Sequence, residues 1–396
     1  MNYDLLREKW WSSSSLPNFN IEKISLSDKV KKEKQFDVIW EKVSSYIDSK
    51  PMGKENFEEW SKEGEKLLKK YIKNDPIFKL QYMDEHVRDG MIESTKKFIN
   101  MAKEFDNDIS IYCIGQATRN VWIANILQAI FFNKVEFNKA VYGYSMLYPY
   151  TDNYLDDVNV SMIDKIKFND RLLNRLKGGK RLDITDNEIK IDKMIECIEM
   201  IFDRKTYTKV YYSLINIQEG QINSLEQQEN VTIPYENDIL GISIKKGSAS
   251  VLVDGYLING ELSKEQEDFC LGYGFLLQIG DDLQDIENDL KNNHMTIMSQ
   301  LANKYCLDRL ANKLLNFTID FIDGHSVLNN KTNLKKLIKN NCVMLILFSI
   351  VMSKNFFSEE YVNKIEEYLP FSIKYIENIR IRLEEKFKGK DLSVWK

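Results

Sequence analysis

Proline and glycine are both scarce in this chain, which has six prolines and 17 glycines among 396 residues. Tight turns and short strands use these residues often, whereas both residues destabilise the interior of a helix. No segment alternates between apolar and polar side chains over a useful length. Since 43% of the residues are hydrophobic, the chain can also bury a substantial core. The composition therefore predicts an all-α protein built from long helices.

Cysteine and histidine are also few, and their spacing excludes several common kinds of site. The five cysteines are scattered and contain no CxxC pair, which is typical of free thiols in a reducing compartment. The three histidines lack the spacing of zinc ligands. Residues 1–16 lack the apolar centre of a signal peptide, and the strongest apolar run, Cys342–Met352, is far shorter than the ~20 residues that span a bilayer. We therefore expect a cytoplasmic protein without a transmembrane segment.

Basic residues show no excess that would favour binding to nucleic acid. The formal net charge is -5, and lysines and arginines are interleaved with acidic residues along the whole chain. We therefore expect no nucleic-acid partner. An anionic ligand would have to be held by local cations or by a metal ion.

The helical pattern divides the chain into two predicted parts. Residues 1–105 form an N-terminal arm and helical extension, and residues 106–396 form the domain with the candidate site, although one continuous domain is the alternative. The arm contains Trp10 and Trp11, and we expect it to be irregular and packed on the body. Three polar stretches predict loops, at residues 177–188, 228–241 and 323–333.

A first acidic cluster lies in the stretch YPYTDNYLDD, where Asp152 and Asp156 are four residues apart. On a helix these two carboxylates project about 40° from one another, one turn apart on the same face. Asp157 points elsewhere and is a weaker candidate. Because the cluster follows an apolar and aromatic stretch, we expect it at the rim of a pocket rather than on a solvated face.

A second acidic cluster lies in LLQIGDDLQDIENDL, where Asp281, Asp285 and Asp289 follow one another at intervals of four residues. Like charges at this spacing destabilise an isolated helix by a few tenths of a kcal/mol for each pair, so a compensating partner is expected. Magnesium is typically held by one or two carboxylates together with the phosphate oxygens of a substrate. The two clusters predict a magnesium site that binds a diphosphate. Its predicted ligands and catalytic residues are Asp152, Asp156, Asp281 and Asp285, with Asp289 as a weaker ligand.

These motifs resemble those of the class I isoprenoid synthases, which include the trans-prenyltransferases and the related terpene cyclases. Residues 152–156 are similar to the first family motif, DDxxD, with Asn153 in the second position. Residues 278–285, with the sequence QIGDDLQD, are similar to the second motif, QxxDDxxD.

Two shorter elements lie between these motifs in the order that the family shows. Gly220 and Gln221 resemble the beginning of GQxxD, with Ser224 in place of the aspartate. Lys246 stands where the family carries a lysine that binds diphosphate. The similarity covers about residues 109–299, and the order of the four elements is its strongest feature.

The resemblance implies a single large helical bundle that binds Mg²⁺, as three ions, and a prenyl diphosphate. It implies that Lys246 contacts the diphosphate, while Gln221 and Gln278 are candidate polar contacts near the metal ions. Tyr148, one turn before the first motif, would face the pocket and limit its depth. Arg119 lies in an apolar helix, so it would either bind diphosphate or pair with a core carboxylate. The family also suggests a homodimer.

Departures from the family favour a cyclase that uses one allylic diphosphate. Chain-elongating synthases carry two arginines directly after the first motif, whereas Arg171 and Arg175 follow much later here. Their GGKR motif precedes DDxxD, whereas the match at residues 178–181 follows it and is interpreted as part of a loop. The sequence therefore lacks the family's motifs for a second substrate.

Two other functions stay open at this point. One is a condensing prenyltransferase, either head-to-tail or of the squalene and phytoene type, which also uses paired DxxxD motifs. Asp152 with Asp156 and Asp285 with Asp289 fit that pattern. The other is a non-catalytic helical subunit that supports a partner.

Overall fold

A computed structural model describes residues 3–17, 19–49, 54–72, 75–157, 159–228 and 236–387. Within these ranges the chain forms 17 α-helices and four 3-10 helices, and it contains no β-strand. The helices pack as a bundle, so the predicted all-α fold class is confirmed.

The helices are numbered in chain order. Their bounds are α1 Tyr3–Ser12, α2 Leu26–Asp48, α3 Lys54–Ile72, α4 Glu85–Phe105, α5 Ile111–Phe132, α6 Lys139–Asp156, α7 Met162–Leu176, α8 Asp186–Glu199, α9 Thr208–Ser224, α10 Ile239–Asn259, α11 Lys264–Gln284, α12 Ile286–Lys291, α13 Ile297–Leu301, α14 Asp308–Gly324, α15 Thr332–Met352, α16 Glu359–Glu366 and α17 Ile373–Phe387. The 3-10 helices are Leu80–Tyr82, Leu225–Gln228, Ser326–Leu328 and Lys354–Phe356.

The centre of the bundle is the pair α10 and α11, which also contacts α9, α5 and α15. Two glycines allow the close approach of this pair. A methyl group on Gly274 would lie 2.1 Å from the carbonyl oxygen of Gly247, and one on Gly247 would lie 2.6 Å from the carbonyl oxygen of Gly274. Both positions therefore exclude any larger residue unless the two backbones separate.

Local capping explains where several of these helices begin. The Ser110 hydroxyl accepts a hydrogen bond from the Cys113 amide at 3.1 Å at the start of α5, and Asn138 accepts one from the Ala140 amide at 2.8 Å at the start of α6. Ser263 and Gln266 form a capping box at the start of α11. Helix α6 continues through Pro149 and ends only at Asp156.

Most of the predicted loops agree with the structure. Helix α8 begins at Asp186, at the end of the first predicted loop, and α15 begins at Thr332, at the end of the third. The second predicted loop includes residues 229–235, which lie outside the described residues. The apolar run Cys342–Met352 belongs to α15, as expected for a buried helix. Among the described residues, no helix is both long enough and apolar enough to cross a membrane.

The N-terminal segment differs from the expected irregular arm, because residues 3–12 form helix α1. Its packing on the body agrees with the prediction. Trp10 is only 1% exposed, and its ring lies edge-on to Phe275 and Phe317 at centroid distances of 5.7 and 5.9 Å. Lys313 holds the C-terminal end of the helix, since its ammonium group donates hydrogen bonds to the carbonyl oxygens of Trp10 and Trp11 at 3.1 and 3.0 Å.

Apolar side chains of α1 and α4 belong to the same buried core as those of α10, α11 and α14. The predicted division near residue 105 falls between the end of α4 and the start of α5. Whether the two parts fold as separate domains stays a prediction.

Replacement of Trp10 by alanine should lower the free energy of unfolding by about 3–5 kcal/mol, because it leaves a cavity between α1, α11 and α14. Trp11 is a matched control, since it is 63% exposed and the Lys313 ammonium lies 5.9 Å from the centre of its ring. Its replacement by alanine should cost about 1 kcal/mol or less. Denaturant titration of both variants measures the difference, and equal losses would contradict the packing of α1.

Candidate functional site

A cavity of about 190 Å³ lies between helices α5, α6, α7, α9, α10 and α11. One part of its lining is polar and carries five of the residues predicted from the motifs, Asp152, Gln221, Lys246, Gln278 and Asp281. Another part is aliphatic, formed by Leu147, Leu155, Leu172, Leu176, Leu214 and Ile217. The cavity thus combines a charged region with a hydrocarbon wall, as a ligand with an anionic head and an apolar tail would require.

The first acidic motif reaches this cavity through Asp152, near the C-terminal end of α6. Its carboxylate is half-buried and accepts a hydrogen bond from the Thr151 hydroxyl at 3.0 Å. Tyr148, one turn earlier, also lines the cavity and is 40% exposed, so it is not a core residue. Asp156 is the last residue of α6, but its side chain lies outside the described residues.

The second acidic motif reaches the cavity through Asp281, near the end of α11. The three aspartates of the motif do not lie on one continuous helix, because α11 ends before Asp285 and α12 begins after it. Successive aspartates of the motif are nevertheless still separated by one helical turn. The amide of Asp285 donates to the carbonyl oxygen of Asp281, and the amide of Asp289 donates to that of Asp285, both at 2.9 Å.

Burial and mutual repulsion disfavour the ionised forms of the second motif. Burial, followed by the charge of Asp281, raises the pKa of Asp285 to about 6. Burial, followed by the charges of Asp282 and Asp285, raises the pKa of Asp289 to about 7. Burial also raises the pKa of Asp282 to about 7, although hydrogen bonds from Gln278 and Ser243 oppose the shift. The protein's own cations therefore do not fully compensate the negative charge of this cluster.

Asp281 is exposed to the cavity, and yet burial by the surrounding protein raises the pKa of its carboxyl group. The two facts agree because the side chain faces a concave space rather than open solvent. The positive charges of Arg119 and Lys246 oppose this shift. Both cations therefore lie close enough to act on the carboxylate at the polar region of the cavity.

Arg119 differs from the expectation of a buried residue paired with a core carboxylate. Its side chain is exposed, and no carboxylate within the described ranges forms a salt bridge with it. Its positive charge still opposes the rise that burial causes in the pKa values of Asp281 and Asp285. Arg119 does not line the cavity itself, so the structure places it beside the second motif and outside the pocket.

Asp289 is the predicted ligand that the structure separates most clearly from the cavity. It is 8% exposed, does not line the pocket, and accepts a hydrogen bond from the Thr296 hydroxyl at 3.3 Å. His294 Nδ1 lies 3.6 Å from its carboxylate, but burial lowers the pKa of that histidine to about 4. A neutral histidine supplies no compensating charge at neutral pH. Asp289 is thus directed toward the segment after α12.

Gln278, Gln221 and Lys246 all line the cavity, as the motif order suggested. The amide nitrogen of Gln278 donates to the Asp282 carboxylate at 2.9 Å. Lys246 is half-buried and influences the pKa values of Asp281 and Asp282. This environment argues against a simple surface lysine.

The donor chemistry of the polar region fits magnesium. Within the described residues, no three His, Cys, Asp or Glu side chains are arranged to share one metal ion. Magnesium commonly uses only one or two carboxylates, with phosphate oxygens and water as its other ligands. Asp152 and Asp281 bring one carboxylate from each motif to the same cavity, and Asp285 lies one turn further along. A divalent cation would relieve the repulsion that raises the pKa values of the second motif.

Five polar or aromatic lining residues were not identified from the sequence: Asn120, Tyr144, Thr151, Gln218 and Ser250. Two of them, Tyr144 and Ser250, carry a signal in a spacing of four residues. Tyr144 precedes Tyr148 by one turn on α6, and Ser250 follows Lys246 by one turn on α10. Each therefore shares a helix face with a residue that the motifs identify. Gln218 and Thr151 carry a similar signal, since Gln218 lies three residues before Gln221 on α9 and Thr151 lies three residues after Tyr148 on α6. Asn120 has no such signal, because its role depends on how the helices pack.

The two arginines that follow the first motif form ion pairs between helices and do not reach the cavity. Arg175 is 4% exposed and bonds to Asp192 at 2.5 Å and to Glu199 at 2.7 and 2.8 Å. Arg171 bonds to the buried Glu188, with its Nε at 2.9 Å. These pairs join α7 to α8, and neither arginine lines the cavity.

A larger groove of about 650 Å³ lies between α2 and α15, outside the two acidic motifs. Several lysines line it, but Lys23, Lys31 and Lys339 already form ion pairs with neighbouring carboxylates. Its size alone does not make it the better candidate, because none of the motif residues reaches it.

Comparison of the chain with known protein families, with curated proteins and with solved structures found no match. The functional interpretation therefore depends on the motifs and on the geometry of the cavity.

The ion pair of Arg175 with Glu199 should make stability depend on pH. The hydrogen bond from Arg175 is the largest cause that lowers the pKa of Glu199. A lowered folded-state pKa stabilises the protein above the unfolded pKa of about 4.3, and this contribution is lost as the pH falls through the folded value. Glu199→Gln should therefore cost about 1–3 kcal/mol at pH 7 and much less below pH 4.

Urea titration at several pH values measures this loss. The exposed Glu261, whose side chain makes no ion pair in the described part of the chain, is the matched control. Glu261→Gln should change stability by less than about 0.5 kcal/mol. A loss in Glu199→Gln that does not vary with pH would contradict the assignment.

Magnesium together with inorganic diphosphate should raise the unfolding temperature of the protein, because ligands that bind only the folded state stabilise it. Asp152→Asn and Asp281→Asn should each reduce this increase, and the double variant should abolish it. Glu287→Gln is a control for lost negative charge, since Glu287 is exposed on α12 and does not line the cavity. An equal increase in the wild type and the double variant, measured by scanning calorimetry, would exclude this site.

Proposed function

We propose that this protein is a magnesium-dependent class I terpene synthase, a cyclase that ionises one allylic prenyl diphosphate and converts the resulting cation into a terpene. The observation that carries the proposal is that Asp152 and Asp281, one from each acidic motif, line the same cavity. Lys246 lies at this polar region, and aliphatic side chains form the rest of the wall.

The order of side chains along two helices supports this use of the cavity. On α6, Tyr148 lies one turn before Asp152, and Tyr144 lies one turn before Tyr148. On α10, Ser250 lies one turn beyond Lys246. The charged groups would bind the diphosphate, and the aromatic and aliphatic residues would surround the prenyl chain.

Asp152, Asp281 and Asp285 would hold magnesium, with Asp156 as a further candidate from the first motif. Bound Mg²⁺ neutralises charge on a leaving diphosphate. Lys246 would add a direct positive charge at the diphosphate. Arg119 would contribute from beside the second motif, where it forms no salt bridge within the described ranges.

The interior of the cavity would protect and stabilise the cation after ionisation. Its aliphatic wall excludes water from the reacting chain, so the cation survives long enough to rearrange. The faces of Tyr144 and Tyr148 would stabilise positive charge through their electron-rich rings. Tyr148 would also limit how far a chain can extend, which agrees with a cavity of only about 190 Å³.

The ion pairs of the two arginines after the first motif support a single substrate. A condensing enzyme needs cations for a second diphosphate. Arg171 and Arg175 are both engaged with carboxylates of α8, so they are not available for that purpose. The proposal therefore favours cyclisation over chain elongation.

Incubation of the purified protein with Mg²⁺ and one substrate at a time tests the proposal. The substrates are geranyl, farnesyl, geranylgeranyl and geranylfarnesyl diphosphate, each with and without isopentenyl diphosphate. We expect release of diphosphate and a hydrocarbon or alcohol from one allylic substrate alone, with loss of both when the metal is chelated.

Asp152→Asn and Asp281→Asn should each lower the rate of diphosphate release by about 100-fold or more, as expected for removal of groups that stabilise the leaving charge. Glu287→Gln should retain the wild-type rate. Product formation only with isopentenyl diphosphate would instead establish a condensing prenyltransferase. No release from any substrate would reject both activities and favour a non-catalytic subunit.

A further inference from the structure

A buried carboxyl group lies behind the cavity and is not used in the mechanism above. Asp254 on α10 is completely buried, and within the described residues its Oδ2 atom has no hydrogen-bond partner. Burial raises the pKa of this carboxyl group well above its usual range. Burial of a carboxyl oxygen without a hydrogen-bond partner costs free energy, so its presence in the core calls for an explanation.

Asp254 is linked to the cavity by Asn120. The amide nitrogen of Asn120 donates to Asp254 Oδ1 at 2.9 Å and to the Ser145 hydroxyl at 3.0 Å. A carboxamide has two hydrogens and one carbonyl oxygen. Both hydrogens are therefore engaged on the protein side, and the orientation of the amide is fixed. Asn120 itself lines the cavity, and within the described residues nothing donates a hydrogen bond to its carbonyl oxygen.

This group lies well away from the polar region of the cavity. Asp254 follows Lys246 by eight residues on α10, and Ser145 precedes Asp152 by seven residues on α6. At 1.5 Å per residue these separations correspond to about 10–12 Å along each helix. Two helices therefore place Asn120 about two turns from Lys246 and Asp152.

We propose that Asn120 is a specificity-determining residue whose carbonyl oxygen stabilises positive charge on the distal part of the prenyl chain, and that Asp254 and Ser145 position it. This inference rests on the proposed terpene synthase function. A fixed dipole directed at a developing charge stabilises it without reorganisation during the reaction. A neutral amide suits this task, because it stabilises the cation without the negative charge that would trap it.

The step balances in bonds and charge. The allylic carbon–oxygen bond breaks, and its electron pair leaves with diphosphate. The electron pair of the distal double bond then forms a new carbon–carbon bond, which moves the positive charge to the distal tertiary carbon near Asn120. Loss of a proton from an adjacent carbon to the released diphosphate gives a cyclic hydrocarbon. In condensation the charge stays near the first carbons of the chain, where a distal amide would have no function.

The test compares three variants with the wild type, using Mg²⁺ with each of the four allylic diphosphates named above. Two quantities are measured on folded protein: the rate of diphosphate release, and the ratio of cyclic to acyclic products by gas chromatography and mass spectrometry. Asn120→Leu removes the amide but keeps the branched shape and the number of non-hydrogen atoms of the side chain. Asp254→Leu removes its support, whereas Asp254→Asn keeps an acceptor for the Asn120 amide.

We expect Asn120→Leu to retain diphosphate release within about threefold, while the ratio of cyclic to acyclic products falls roughly three- to tenfold, the size expected for one polar contact. Asp254→Leu should lower this ratio as well, whereas Asp254→Asn should keep it close to the wild-type value. If Asn120→Leu folds poorly because it leaves Asp254 unpaired, the double variant Asn120→Leu/Asp254→Leu replaces both partners with apolar groups and carries the same expectation.

An unchanged product ratio in Asn120→Leu or in the double variant would overturn this inference while the proposed function stands. Loss of diphosphate release with an unchanged ratio would also overturn it, because Asn120 would then act on ionisation. No release by the wild type from any of the four allylic diphosphates would reject the proposed function, and this inference with it.

Discussion

The close contact between α10 and α11 is the constraint on which the candidate site depends. Gly247 and Gly274 allow the two backbones to approach so closely that a side-chain carbon at either position would clash. Lys246 precedes the first glycine, and Gln278 and Asp281 follow the second within two turns. The contact therefore brings a lysine beside the second acidic motif, where its charge acts on Asp281. A wider separation would weaken that interaction and open the cavity.

The second acidic motif shows an electrostatic cost that the fold by itself does not remove. Burial and repulsion raise the pKa values of Asp282, Asp285 and Asp289, even though hydrogen bonds from Gln278 and Thr296 oppose the shifts. Natural proteins commonly accept such local costs where function requires them. Here Asp281 of the same motif lines a cavity with an aliphatic wall, so a cation bound to it would compensate the charge and lie next to that wall.

Two groups of charged residues elsewhere in the bundle are matched within the protein. Arg175 joins Asp192 and Glu199 between α7 and α8, and Lys313 satisfies the carbonyl groups at the end of α1. Arg119 differs from both, since it is exposed beside the acidic motif and forms no salt bridge in the described part of the chain. This contrast separates the cations that hold the fold from those near the candidate site.

Much of the fold and part of the site follow from short-range patterns in the sequence. Scarce proline and glycine and the helical spacing of apolar residues predict the all-α class, and polar stretches predict where α8 and α15 begin. The four-residue spacing of the aspartates predicts their shared faces. These features depend on the geometry of one or two helical turns, so neighbouring residues are enough to encode them.

Packing between distant segments decided the rest. It brought Asp152 and Asp281 to one cavity and left Arg119 exposed. It also directed Asp289 toward Thr296 and buried Trp10 of the helix that residues 3–12 form. It also joined Asn120 to Asp254, which are far apart in the chain. The sequence by itself determined the helices and the chemistry available on their faces. Only the tertiary structure decided which faces meet, because burial of apolar surface is a property of the whole bundle.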